Sequence, residues 1–387
     1  MGANKFSAVR GAMQRYVDAD ILPGVSWAVL AGREVVEEGC VGWADKEACT
    51  ALRTDHIFRV FSNTKLVTSC AALLLLEEGR FALDDPVERY LPELANRRVL
   101  RPGATSPGDT EPAATPITVR HLMSHSAGLS YGLLDPGTLI FKLYNEAGAL
   151  DPRTTLAVMV ERLATLPLVF HPGTGWEYSM ATDVLGRLVE VLGGKRFDEF
   201  IQQRIFGPLG MADTRFVVKE ADRPRLTAYY AGADVLQPMV GGLTRIDAAP
   251  YPGAYLVPVP RLSGGGGLVS TLPDMVALVR SLMPGGETLL EPQTIAQMKT
   301  NQLAAGACVR FPRVGEVQGK GYGLAGAVTV HPAAGAVGEL EWGGIAGTHW
   351  WISPDAKFAG LAMTQRQMGF WHPYSFEFKQ LVYGALA

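Results

Sequence analysis

From Leu66 to Leu76 nearly every residue is apolar. A helix with no polar face has to be buried on all sides, so the rest of the chain must wrap around this segment. Gly79 is a natural stop for it. The run Phe61-Ser62-Asn63-Thr64-Lys65 sits at its start. Serine and lysine three residues apart on a helix share one face, about a turn from each other. A serine hydroxyl is a weak nucleophile until a neighbouring base takes its proton. Desolvation favours the neutral, proton-accepting form of an amine. Ser-x-x-Lys is a common tetrapeptide, however, and its meaning depends on what surrounds it.

The surroundings suggest strands at both ends of the sequence and helices between. Residues 6–19 pattern as an amphipathic helix with Val9, Met13, Tyr16 and Val17 on one face. Gly24 to Leu30 and Val35 to Trp43, around Ala31-Gly32-Arg33, read as a β-hairpin. Residues 101–116 have loop composition. Helical patterns follow at 118–126, 154–166, 180–192 and 198–206. Gly264 to Gly267 then lead into Thr271-x-x-Asp274, which reads as a capping box. Short strands at 323–330, 336–342, 348–352 and 358–363 precede a helix over 374–386. The economical arrangement is α+β. One antiparallel sheet is built from both chain ends (residues 1–85 and 265–387) and flanked by terminal helices, with a mainly helical domain (86–264) inserted. The active site is expected in the crevice between them.

Of the 387 residues, 48% are hydrophobic and 19% charged, a globular balance with ample material for a core. A net charge of −3 without a basic run excludes nucleic acid as an expected partner. No apolar run is long enough to span a bilayer, and no signal peptide is expected. Gly2 is not followed by Ser or Thr at position 6, which argues against myristoylation. Cys40, Cys49, Cys70 and Cys308 form no Cys-x-x-Cys pair and read as free thiols in a reducing cytoplasm. His121 and His125 have metal-like spacing, but Leu122 replaces the glutamate of a zincin helix, so two structural histidines and no metal are expected. No cofactor is implied.

Three further segments can carry chemistry. Tyr178, after the loop Pro172-Gly173-Thr174-Gly175, is either a packing aromatic or a phenol that manages a proton beside an ammonium. Trp342-Gly343-Gly344-Ile345 is either a strand irregularity or a place where backbone approaches a ligand and offers an N–H to an oxyanion. Gly128-Leu129-Ser130-Tyr131-Gly132 matches the Gly-x-Ser-x-Gly nucleophile elbow. That elbow requires a strand before the serine. Here the preceding residues read as helical, although His171, His331, His349 and His372 are available as partners.

Taken together these segments resemble the serine β-lactamase and penicillin-binding-protein superfamily, and within it the class C β-lactamase-like carboxylesterases known as family VIII esterases. The resemblance is carried by Phe58 to Lys65, Leu83-Asp84-Asp85-Pro86-Val87, His121 to Leu129, Trp176-Glu177-Tyr178-Ser179 and Gly265 to Thr271, in that order along nearly the whole chain. It implies that Ser62 is acylated, with Lys65 and Tyr178 managing its proton. It implies an oxyanion hole from the backbone N–H groups of Ser62 and Ile345. Tyr131, Trp342, Gly343 and Gly344 would line the substrate pocket, and Ser130 would be a bystander. Class C β-lactamases carry an asparagine two residues after the tyrosine, where Met180 stands, and Lys-Thr-Gly where this chain has Trp342-Gly343-Gly344. Losing that lysine and asparagine removes partners for a β-lactam's carboxylate and amide.

The resulting expectation is a cytoplasmic carboxylesterase acting on small acyl esters through acyl-Ser62. Its rivals are an acyltransferase or weak β-lactam hydrolase using the same acyl-enzyme, an α/β-hydrolase acting through Ser130, and a non-catalytic binding protein that keeps the fold.

Overall fold

A computed structural model of the chain describes residues 6–234, 237–311 and 315–386; Gly2 lies outside them. Eight helices carry the argument: α1 (Ser7–Asp18), α2 (Thr64–Glu77), α3 (Val119–Met123), α4 (Leu139–Glu146), α5 (Leu156–Ala164), α6 (Ala181–Gly193), α7 (Leu272–Arg280) and α8 (Pro373–Leu386). The main sheet takes β1 (Gly24–Ala31), β2 (Glu34–Asp45) and β3 (Thr50–Ala51) from one end of the chain. From the other end it takes β4 (Lys320–Tyr322), β5 (Ala327–Thr329), β6 (Leu340–Gly344), β7 (Thr348–Ile352) and β8 (Phe358–Met363). The order is β4-β5-β6-β7-β8-β1-β2-β3. The two chain ends join antiparallel at β1 and β8, where Ser26 faces Met363 and Ala31 faces Phe358.

Strand β1 is buried along almost its whole length, and its side chains alternate between two cores. Val25, Trp27 and Val29 pack with α1 and α8, whereas Ala28 and Leu30 point into the larger core shared with α2 and the helical segment. Helices therefore cover both faces of the strand at the centre of the sheet. The β1–β2 hairpin turns at Gly32, whose φ of +57° an L side chain seldom adopts.

Helix α2 is buried from Thr64 through Leu75, as its composition requires. It packs against α6, and Thr68 Oγ1 donates to Gly264 O at 2.7 Å, tying the helix to the glycine run. Each fully buried Leu or Val on α2 contributes about 1.5–3 kcal/mol. Gly79 ends the segment at φ +67°.

Some local expectations change. The 101–116 loop contains a short strand, Thr110–Pro112, paired with Arg98–Leu100. Thr271 caps α7 by accepting from the Asp274 N–H, but the Asp274 carboxylate accepts from Asp213 N–H and Thr214 Oγ1 instead of reaching back, so the box is one-sided. The box lies in α3, where Thr118 accepts from the His121 N–H and His121 Nδ1 accepts from the Thr118 N–H. No helix among the described residues is long and apolar enough to cross a membrane.

Candidate active site

Ser62 sits in a single 3-10 turn, Phe61–Asn63, that runs straight into α2. The turn starts under strain: Phe61 has φ +42°, a region that costs a bulky side chain of order 1–3 kcal/mol. Its ring is held between Tyr229 (5.6 Å) and Tyr255 (5.8 Å), and Thr348 Oγ1 fixes the preceding carbonyl, Val60 O, at 3.1 Å.

Three expected residues come together here. Tyr178 Oη donates to Ser62 Oγ at 2.6 Å, and Lys65 Nζ lies 3.4 Å from the same oxygen. Lys65 is 1% exposed, and its shortest hydrogen bond, 2.6 Å, goes to the backbone carbonyl of Gly265. Its ammonium lies 4.6 Å from the Tyr178 ring centroid and 5.5 Å from that of Tyr131. Tyr131 and Tyr178 stack at 5.6 Å. Burial and the nearby Asp183 carboxylate push the Tyr131 phenol well above its ordinary range, which keeps it protonated.

Three neighbours hold this arrangement, and none of them was expected at the site from sequence: His125 was expected only as a structural histidine. Asp183, in the first turn of α6, accepts from Ser263 Oγ (2.6 Å) and from the Gly265 N–H (3.3 Å), so it fixes the residue whose carbonyl receives Lys65. His125 lies 5.0 Å from the Tyr178 ring; its carbonyl accepts from Glu177 N–H (3.0 Å) and its Nδ1 from Ser179 N–H (3.3 Å). Burial, with the Lys65 charge adding to it, holds the His125 imidazole well below its usual range and therefore neutral. Glu177 is pushed up to about 7, mainly by burial. The only hint in the sequence was position: Glu177 adjoins Tyr178, and His125 falls within a segment carrying the resemblance.

Ser130 is built differently from an elbow serine. It is 1% exposed, its N–H donates to Tyr144 Oη at 2.9 Å and its Oγ to Glu177 Oε1 at 3.0 Å. Helix α3, not a strand, precedes it, and no histidine bonds to its hydroxyl among the described residues.

Ser62, Tyr131, Tyr178 and Ile345 border one cavity of about 880 Å³. The Ser62 N–H falls in the first turn of its helix, where amides lack an intrahelical acceptor. Ile345 follows directly after β6 and uses its carbonyl to accept from the Gly369 N–H. Trp342, Gly343 and Gly344 depart from expectation, since none of them lines this cavity. Trp342 is buried behind Tyr178, with ring centroids 5.4 Å apart. The two glycines answer to the protein's own packing. A Cβ on Gly343 would lie 2.6 Å from His349 Nδ1, and one on Gly344 would lie 2.4 Å from Val60 O. No group of side chains suited to hold a metal ion occurs among the described residues.

The chain matches the family model described as Beta-lactamase over residues 9–372 and belongs to that family. It is 32% identical over 362 residues to esterase EstB of Burkholderia gladioli, covering 89% of this chain and 86% of that one. It is 35% identical over 333 residues to the lovastatin esterase of Penicillium rubens, with 80% of each chain covered. Among solved structures, EstCE1, described as a hydrolase with promiscuous acyltransferase activity, superimposes with a TM-score of 0.83 at 26% identity over 98% of both chains. The β-lactamase-like α+β fold is thus shared with enzymes named as esterases.

Proposed function

We propose that this protein is a serine carboxylesterase that hydrolyses small-molecule esters through an acyl-Ser62 intermediate. One observation carries the reading: Ser62 Oγ is bracketed by Tyr178 Oη at 2.6 Å and Lys65 Nζ at 3.4 Å. Ser62 Oγ attacks the ester carbonyl while the Lys65–Tyr178 pair takes its proton. The backbone N–H groups of Ser62 and Ile345 receive the developing oxyanion. Tyr178 passes a proton to the leaving alkoxide, and the same pair then deprotonates the water that releases the acid. Trp342-Gly343-Gly344 stands where class C β-lactamases carry Lys-Thr-Gly, and the absence of that lysine supports an ester over a substrate held by its carboxylate. Four unpaired cysteines support a cytoplasmic setting.

Replacing Ser62 by alanine is expected to abolish hydrolysis of a short-chain p-nitrophenyl ester; full activity in that variant ends the reading. A second reading, acyl transfer to an alcohol, is favoured by the cavity, whose 880 Å³ leaves room for an acceptor beside the acyl-enzyme. The description of EstCE1 points the same way. Partitioning of the acyl-enzyme between water and added alcohols separates the two.

A further inference from the structure

Of four consecutive glycines, Gly264 to Gly267, the last three line the cavity that Ser62 borders, and three of the four are explained by the protein itself. A Cβ on Gly264 would lie 2.7 Å from Thr182 O, and one on Gly267 would lie 2.7 Å from the Phe216 ring and 2.8 Å from Ser263 O. A Cβ on Gly265 would lie 2.5 Å from the Asp183 carboxylate and 3.0 Å from Tyr131 Oη. Gly266 is different. Its Cβ would meet nothing closer than 3.8 Å, and the atoms it would meet are the backbone of Phe61, the residue before Ser62. Its backbone does not adopt the left-handed region, and its carbonyl is anchored by Tyr255 Oη at 3.1 Å. The fold would accept a side chain there, so folding does not account for the missing one.

What lies beside Gly266 does account for it. Gly266 lines the 880 Å³ cavity together with Phe61, Leu134, Tyr251, Tyr255 and Leu262, a mostly apolar wall. That volume falls at the upper end of the range of about 300–1,000 Å³ that holds drug-sized ligands. A side chain on Gly266 would add bulk at the lining of this space, beside the backbone of Phe61, the residue before Ser62. We infer that Gly266 is a specificity-determining position that keeps the passage to Ser62 open for esters with a bulky, apolar, ring-bearing group. The inference rests on the esterase reading and narrows its substrate class.

The test compares wild type with Gly266→Ala and Gly266→Val on p-nitrophenyl acetate, p-nitrophenyl 1-naphthoate and 1-naphthyl acetate. The expected result is little change in kcat/KM for p-nitrophenyl acetate. At least one naphthyl substrate should lose tenfold or more with Gly266→Val and less with Gly266→Ala, mainly through KM. Melting temperatures at or above wild type are expected for Gly266→Ala, against a clear drop for Gly265→Ala. Equal losses on all three esters, or none on either naphthyl ester, overturn the inference. Ser62-dependent hydrolysis of p-nitrophenyl acetate by the wild type leaves the esterase reading standing in either case; its absence removes that reading.

Discussion

Replacing Tyr178 by phenylalanine removes one oxygen and little else. Among the described residues the hydroxyl has a single hydrogen bond, 2.6 Å to Ser62 Oγ, and that oxygen keeps Lys65 Nζ at 3.4 Å when it is lost. The ring stays packed against Tyr131, Trp176 and Trp342, at centroid distances of 5.6, 6.2 and 5.4 Å, so the fold is expected to survive. Loss of one such hydrogen bond costs a folded protein about 0.5–1.5 kcal/mol. Loss of a positioned proton-transfer group costs a reaction about 10²–10⁴-fold, or about 3–5 kcal/mol of barrier. The two effects differ in size, so they separate cleanly. Stopped-flow release of p-nitrophenol should show acylation slowed by at least about a hundredfold, while melting moves by only a few degrees. Lys65 Nζ is already 3.4 Å from Ser62 Oγ and remains in place in this variant. If acylation keeps a third or more of its rate, Lys65 alone manages the proton and the shared role assigned to Tyr178 is wrong.

Other consequences follow from the same contacts. Ser130→Ala should keep most of the esterase activity, because Ser130 bonds to Glu177 and not to the reacting groups; loss comparable to that of Ser62→Ala in the same ester assay would reinstate the elbow serine. Glu177, raised to about 7 from an unfolded value near 4.5, binds its proton more tightly when folded. That contribution to stability is full below pH 4.5 and is lost as pH rises to about 7, amounting to at most about 3 kcal/mol. Denaturant titrations of Glu177→Gln should therefore show a stability advantage over wild type that grows from pH 5 to 7.5; parallel curves would refute it. Lys65→Met should abolish acylation, since the apolar replacement fills the same buried site but cannot accept a proton, and burst kinetics above a few per cent of wild type would contradict that.

The parts of the site that were legible are those set by local geometry. Ser62 and Lys65 are one turn apart whatever the tertiary structure, and an all-apolar α2 can only be central. Tyr178 lies 116 residues from Ser62, so spacing could not bring them together. The residues alone left Tyr178 as either a packing aromatic or a proton-managing phenol, and the resemblance favoured the second. Trp342 was expected at the pocket because it stands where the resemblance puts the first residue of Lys-Thr-Gly, and position in a motif does not say which way a different side chain packs. In fact it packs behind Tyr178 instead of in front of it. The paired glycines beside it suggested ligand approach, yet His349 and Val60 occupy that space. Asp183 could not be found at all from pattern, since its significance comes from a contact with Gly265, which only the folded chain creates. The glycine run was visible as composition, but only the clash distances distinguish Gly266 from its neighbours.

Labelling with a fluorophosphonate followed by peptide mass spectrometry asks whether Ser62 forms the covalent intermediate. One adduct is expected, on the peptide containing Ser62, appearing in step with loss of esterase activity and absent from Ser62→Ala. An adduct on Ser130, or an active enzyme that resists labelling at Ser62, would contradict it.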